Sequence, residues 1–133
     1  MNSNEVSATS LSFIGDAIYS LKVREYYVSC GYMQGKKLQE LSKRYVSARG
    51  QMKVFNRLLE AHFFNDDDLT IFKRGRNAIS HIPKNGDLVS YQIASGVEAL
   101  CGYYYLFDQE RMNLFFDEMF KGGEENEWLY LWS

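Results

Sequence analysis

Apolar positions along the 133-residue chain recur every three or four residues almost from end to end. That is the period of an amphipathic helix rather than the alternation of a strand. Leu11, Ile14, Ile18 and Leu21 predict a first helix over 10–28, capped by Ser10 or Thr9 and followed by Gly31. Leu38, Leu41 and Tyr45 mark a second over 36–45, and Met52, Phe55, Leu58 and Leu59 a third over 48–61. Asn65–Asp68 gives a polar, acidic start to a fourth over 66–79, which bears Leu69, Ile71 and Phe72. The turn Ser80-His81-Ile82-Pro83-Lys84-Asn85-Gly86 cannot be helical through Pro83. Asp87 then caps a long helix to about 106, with Val89, Ile93, Val97, Leu100, Cys101 and Tyr104 inward. A last helix over 108–121 carries Met112, Phe115, Phe116, Met119 and Phe120 and ends at Gly122-Gly123. The fold class is all-α, with one helical domain over 1–121 and an acidic, aromatic C-terminal tail over 122–133.

Length and composition narrow the class of protein. A chain this long buries about two-thirds of its unfolded surface, enough for a single core. No apolar run reaches the roughly 18–20 residues of a membrane helix. The start MNSNEVSATS lacks the basic and apolar regions of a signal peptide. Cys30 and Cys101 are too few for a disulfide scaffold and lack zinc-site spacing, and both are expected to be small buried residues. The expectation is a soluble, cytoplasmic protein with no membrane contact. Nineteen tyrosines and phenylalanines at helical spacing belong to core packing and subunit contact rather than to base stacking. His62 is expected at a helix end, with no third ligand to make a metal site of it and Asp66.

Charge changes the picture more than composition does. The formal net charge is −2, yet residues 22–84 hold thirteen Lys and Arg against six acids, while residues 85–133 hold two against nine. Lys36, Lys37, Lys43, Arg44, Arg49, Lys53 and Arg57 form one basic cluster; Lys73, Arg74, Arg76 and Lys84 form another with no acid between Lys73 and Lys84. An acidic protein with one concentrated basic region can bind a polyanion on one face, although a solvated helix surface looks the same in sequence.

Two carboxylates break the local rules. Asp16 stands mid-helix in Phe13-Ile14-Gly15-Asp16-Ala17-Ile18-Tyr19, and Glu98 in Ala94-Ser95-Gly96-Val97-Glu98-Ala99-Leu100-Cys101-Gly102. An ionised carboxylate on an apolar helix face costs several kcal/mol unless it is paired or binds a metal. Ala94 and Gly102, one turn either side of Glu98, leave room for something to approach it. For each acid taken alone, pairing with a nearby Lys or Arg or simple solvent exposure outweighs a functional role.

The residues Phe13 to Tyr19 resemble the signature segment of the ribonuclease III nuclease domain. Tyr45-Val46-Ser47-Ala48-Arg49-Gly50-Gln51, Lys73-Arg74-Gly75-Arg76-Asn77-Ala78, Pro83-Lys84-Asn85 and Glu98 to Leu106 resemble the Mini-ribonuclease III family in particular. The resemblance runs from about Ser10 to Phe120, and the lack of a following double-stranded-RNA-binding domain matches that subfamily. It implies a ribonuclease III-like helical bundle, a homodimer, and a Mg²⁺-dependent endoribonuclease in which Mn²⁺ can substitute. The implied substrate is double-stranded RNA, specifically precursor 23S ribosomal RNA of the large subunit, with a large-subunit ribosomal protein as a possible partner. The implied products are a 5′-phosphate and a 3′-hydroxyl. Asp16 and Glu98 are the implied catalytic and metal-binding residues, and Lys73, Arg74, Arg76, Asn77, Lys84 and Asn85 the implied RNA contacts. Lys43, Arg44, Arg49 and Gln51 are weaker RNA candidates.

The chain also departs from the pattern. Full-length ribonuclease III enzymes carry further carboxylates where this chain has Ser12 and Ser95. The turn after Asn77 is about one residue short, with Ile79 where a lysine is more usual. Two other classes remain to be weighed. A non-catalytic duplex-RNA binder on the same fold would not need both acids, and a helical protein–protein adaptor would show no salt-dependent RNA affinity.

Overall fold

The computed structural model describes residues 2–79, 81 and 86–132, with side chains through Lys121. Among the described residues a 3₁₀ turn (Ser3–Glu5) precedes six helices, and no strand is present. The helices are α1 (Ala8–Ser29), α2 (Gly35–Val46), α3 (Ala48–Glu60), α4 (Asp66–Asn77), α5 (Leu88–Phe107) and α6 (Gln109–Trp132). The all-α expectation holds, as does the placement of every helix except the end of the last. The turn that contains Ser80, Pro83, Lys84 and Asn85 lies outside the described residues.

Helix α5 is the axis of the bundle. Residues Ala94–Val97, Ala99–Gly102 and Tyr104 are buried, and α1, α3, α4 and α6 all pack against it. A helix surrounded on every side is apolar or small all round, and α5 reads that way apart from Gln92 and Glu98. Aromatic rings fill the space between helices: Tyr19, Tyr27, Tyr104 and Phe115 are fully buried. Phe55 stacks on Phe72 at 4.0 Å and Tyr26 on Phe120 at 4.2 Å. The rings are core, as their spacing suggests; of Tyr103–Tyr105 only the last is exposed.

Several details differ from the sequence expectation. The buried row of α1 is Leu11, Gly15, Tyr19, Val23 and Tyr27, whereas Ile14 and Ile18 flank it and Leu21 is exposed. Helix α1 is apolar on more than one face, so spacing admits either row; the close fit of α5 over Gly15 selects the observed one. The cap of α1 is Ser7, whose Oγ accepts from the Ser10 amide at 3.1 Å. The buried row of α3 is Gln51, Val54, Phe55 and Leu58, with Leu59 outside. In the opening turn of α5 Ser90 takes the inward position, and Val89 faces out. Cys30 is exposed at the end of α1, while Cys101 is buried with its thiol pushed up by desolvation. Gly122-Gly123 does not end α6, which continues to Trp132. Each glycine disfavours helix by only about 1 kcal/mol and adopts helical angles freely, and Glu124 to Leu131 are ordinary helix formers.

One buried carboxylate is entirely structural. Asn65 and Asp68 form a reciprocal capping box at the start of α4. The Asp68 carboxylate also accepts from Tyr104 Oη at 2.9 Å and from Arg111 Nε at 3.1 and 3.0 Å, and pairs with the second guanidinium nitrogen. That nitrogen donates as well to the Phe63 carbonyl at 2.7 Å, and the guanidinium lies over the Phe63 ring. Three helices are thereby tied at one end of the bundle. Tyr104 stays neutral there, its pKa pushed far up by burial and by Asp68.

Candidate active site

Two glycines create the site. A Cβ on Gly15 would lie 1.6 Å from the Glu98 carbonyl oxygen, and one on Gly102 would lie 2.0 Å from that of Leu11. Helices α1 and α5 therefore cross backbone to backbone. What approaches Glu98 at Gly102 is not a ligand but the main chain of α1. The crossing sets Asp16, next to Gly15, and Glu98, one turn before Gly102, on the wall of one cavity of about 360 Å³. Ser12, Phe13, Gln51, Ile79 and Ser95 share that wall.

The cavity is acidic and lacks a counter-charge. Asp16 is exposed and Glu98 is half-buried. The Glu98 carboxyl is pushed up from its ordinary 4.5 to about 7, first by burial and then by the charge of Asp16, with the Gln51 side chain acting the other way. Among the described residues neither acid pairs with a Lys or Arg. Two carboxylates sharing a cavity with no cation repel one another, which is the arrangement a bound divalent ion relieves. The donor set is all oxygen, with no His or Cys on the wall, and suits a hard ion such as Mg²⁺. Among the described residues no cluster of three or more His, Cys, Asp or Glu exists, so water would complete the coordination.

The two serines standing where full-length enzymes have carboxylates serve as ties. Ser12 Oγ donates to the Ser95 carbonyl at 2.9 Å, and the two hydroxyls lie 3.4 Å apart. Ser95 Oγ donates to the Gly75 carbonyl at 2.9 Å, linking α5 to α4. These bonds hold α1, α5 and α4 together beneath the acids without adding charge.

The basic candidates divide. Lys73, Arg74 and Asn77 are exposed on the last turns of α4, Arg76 is half-buried, and Ile79 just beyond them lines the cavity. Arg74 already donates to the Val6 carbonyl at 3.0 Å, pinning the N-terminal segment to α4, and Arg76 Nε donates to Asn77 Oδ1 at 3.2 Å. Lys84 and Asn85 lie outside the described residues. Lys43, Arg44 and Arg49 are exposed. Gln51 is 3% exposed and is no RNA contact. Its burial was legible: 51, 54, 55 and 58 form an i, i+3, i+4, i+7 row in which a polar residue takes an apolar place. His62 follows α3 with a left-handed φ of 58° and is exposed, a helix-end residue as expected.

The helical bundle, with an aspartate and a glutamate on one cavity where its two central helices cross at glycines, belongs by sequence to a nuclease family. Residues 9–109 match the family model described as the ribonuclease III domain; the chain belongs to the ribonuclease III family. It is similar to the Mini-ribonuclease 3 of Enterococcus faecalis, at 36% identity over 92% of this chain and 96% of the relative. It also resembles that of Staphylococcus aureus, at 40% over 76% of each, and that of Desulfitobacterium hafniense, at 37% over 92% of this chain and 78% of the relative. A crystal structure of a Fusobacterium nucleatum protein superposes with a TM-score of 0.78 at 28% identity, covering 90% of this chain and 95% of that one. The enzyme class is thus an endoribonuclease of the ribonuclease III superfamily, the class that cuts double-stranded RNA.

Proposed function

We propose that this endoribonuclease cuts double-stranded RNA as a Mg²⁺-dependent homodimer, with Mn²⁺ able to substitute, and that its natural substrate is precursor 23S ribosomal RNA. The observation that carries the reading is the pairing of Asp16 and Glu98, from helices 82 positions apart in sequence, on one cavity without a cationic partner among the described residues. Asp16 and Glu98 would hold the ion, and Ser12 and Ser95 tie α1 to α5 beside them. A divalent ion bound there supplies an activated water and positive charge at the scissile phosphate. Lys73, Arg76 and Asn77, with Arg74, follow the phosphate backbone beside the cavity and position the duplex without reading its sequence, and Lys84 and Asn85 are assigned the same role. Attack by water in line with the 3′ oxygen leaves a 5′-phosphate and a 3′-hydroxyl.

The homodimer reading rests on the outer face of α1. Phe13, Ala17, Leu21 and Val28 fall on one side of the helix and are exposed, Phe13 by 82%. Such a row beside an active site is the kind of surface a second subunit covers, and two subunits provide one cut per strand. No helix among the described residues is long and apolar enough to cross a membrane, and the cytoplasm is the compartment we assign. A large-subunit ribosomal protein is the partner we assign for presenting the precursor RNA.

The test is incubation of a long RNA duplex with Mg²⁺ or with EDTA, followed by chemical analysis of the ends. The reading predicts cutting in Mg²⁺ only, with 5′-phosphate ends, and a solution mass near twice 15.5 kDa. Cutting in EDTA, or 2′,3′-cyclic phosphate ends, would contradict it.

A further inference from the structure

A buried amide beside the acids is not accounted for by packing. Gln51 is 3% exposed, takes the first position of the buried row of α3, and lines the same cavity as Asp16 and Glu98. Its Nε2 donates to the Val46 carbonyl at 3.1 Å, and the amide stands on the wall it shares with Glu98, where it opposes the upward shift of that carboxyl. An amide nitrogen has two hydrogens, so one remains beyond the bond to Val46. That bond also fixes which way the amide faces, because its oxygen would repel the carbonyl. The oxygen, Oε1, is consequently left buried with no partner among the described residues. A leucine or methionine would fill this position without an orphaned atom, so stability alone does not favour glutamine.

The corner that carries Gln51 is itself anchored. Ser47 ends α2 and caps α3, its Oγ accepting from the Gly50 amide at 3.0 Å. Tyr19 of α1 donates to the Tyr45 carbonyl at 2.7 Å. The Val46 carbonyl is therefore a fixed point tied to the helix that bears Asp16, and Gln51 reaches from it into the cavity wall that Glu98 shares.

We propose that Gln51 is a positioning residue for Glu98: one N–H fastens to the α2–α3 corner and the other holds the Glu98 carboxylate facing Asp16 across the cavity. This inference rests on the two-carboxylate cation site proposed above. Gln51 touches neither RNA nor the reacting atoms and acts through the orientation of Glu98. Partners that orient metal-binding carboxylates change metal affinity or activity by about 10–100-fold when removed.

The test is Mn²⁺ affinity, measured by electron paramagnetic resonance of the free ion on full-length protein without RNA, for wild type, Gln51→Met, Gln51→Leu and Asp16→Asn. Duplex-RNA affinity in EDTA and kcat are measured beside it. Either apolar variant that folds should bind Mn²⁺ about 10-fold more weakly, lose kcat to a similar extent, and bind duplex RNA as wild type does. Unchanged Mn²⁺ affinity in the folded variant overturns the proposal, as does a loss of RNA affinity equal to the loss of Mn²⁺ affinity, which would mark a purely structural role. Wild type that fails to bind Mn²⁺, or Asp16→Asn that binds it as tightly, removes the cation site itself. That outcome is distinct from an Asp16-dependent site that ignores Gln51.

Discussion

The bundle holds acidic residues of two kinds along α5, one near its C-terminal end at Tyr104 and the other at its middle, at Glu98. Asp68 is buried and satisfied: two hydrogen-bonding partners on other helices, a salt bridge and its own capping box surround one carboxylate. Asp16 and Glu98 face each other across a cavity with no Lys or Arg among the described residues. Burial alone therefore does not mark a functional acid. What separates the two sites is that the fold supplies a positive charge to the first and, among the described residues, none to the second.

That contrast can be broken at either end. Asp68→Ala strips the partner from Arg111 and Tyr104 and should lower unfolding stability by about 3 kcal/mol in urea titrations, because a charge left unpaired costs more than the pair was worth. A wild-type midpoint for this variant would erase the distinction. At the other end the sign reverses. Glu98 takes up protons more readily when folded, with about 7 against an ordinary 4.5. The folded state thus binds the extra proton between those values, and metal-free stability falls as pH rises through that window, by up to about 3 kcal/mol. Urea midpoints without metal should drop between pH 5 and pH 8, and Glu98→Gln should flatten the drop. An unchanged slope in that variant would place the titration elsewhere.

Smaller effects sharpen the picture. Ser95→Ala removes the bond to Gly75 and should lower stability by about 1 kcal/mol while leaving RNA cutting in place, since the serine ties α5 to α4. Loss of cutting with stability intact would give Ser95 a chemical role instead. Arg76→Ala should weaken duplex binding and lower the salt-dependence slope by about one unit, measured by filter binding across salt concentrations. An unchanged slope takes Arg76 out of the interface.

The sequence made the helices legible because each has a strong apolar period and a recognisable start, such as Asn65–Asp68 and Asp87. It was poor at choosing faces where a helix is apolar all round: α1 presents its glycine row inward and leaves Phe13 and Leu21 outside. Only tertiary contact decides that, through the backbone crossing at Gly15 and Gly102. Asp16 and Glu98 stood out as charges out of place on their helices. Asp68 and Gln51 did not, because the first looks like an ordinary helix-start acid and the second stands between Arg49 and Lys53 in a basic stretch. Yet both open a buried row, at 68, 71, 72, 75 and at 51, 54, 55, 58, and a polar residue in that position signals a buried network. The extent of α6 past Gly122-Gly123 was not readable, since glycine weakens a helix without stopping it.

The most direct test of the central claim is cleavage of duplex RNA by Asp16→Asn and Glu98→Gln beside wild type, with RNA binding measured on the same preparations. If the crossing of α1 and α5 builds a cation site from these two acids, each variant should cut at least about 10²-fold more slowly while binding the duplex as wild type does. A variant that binds and still cuts at close to the wild-type rate would show that the chemistry resides elsewhere on the molecule.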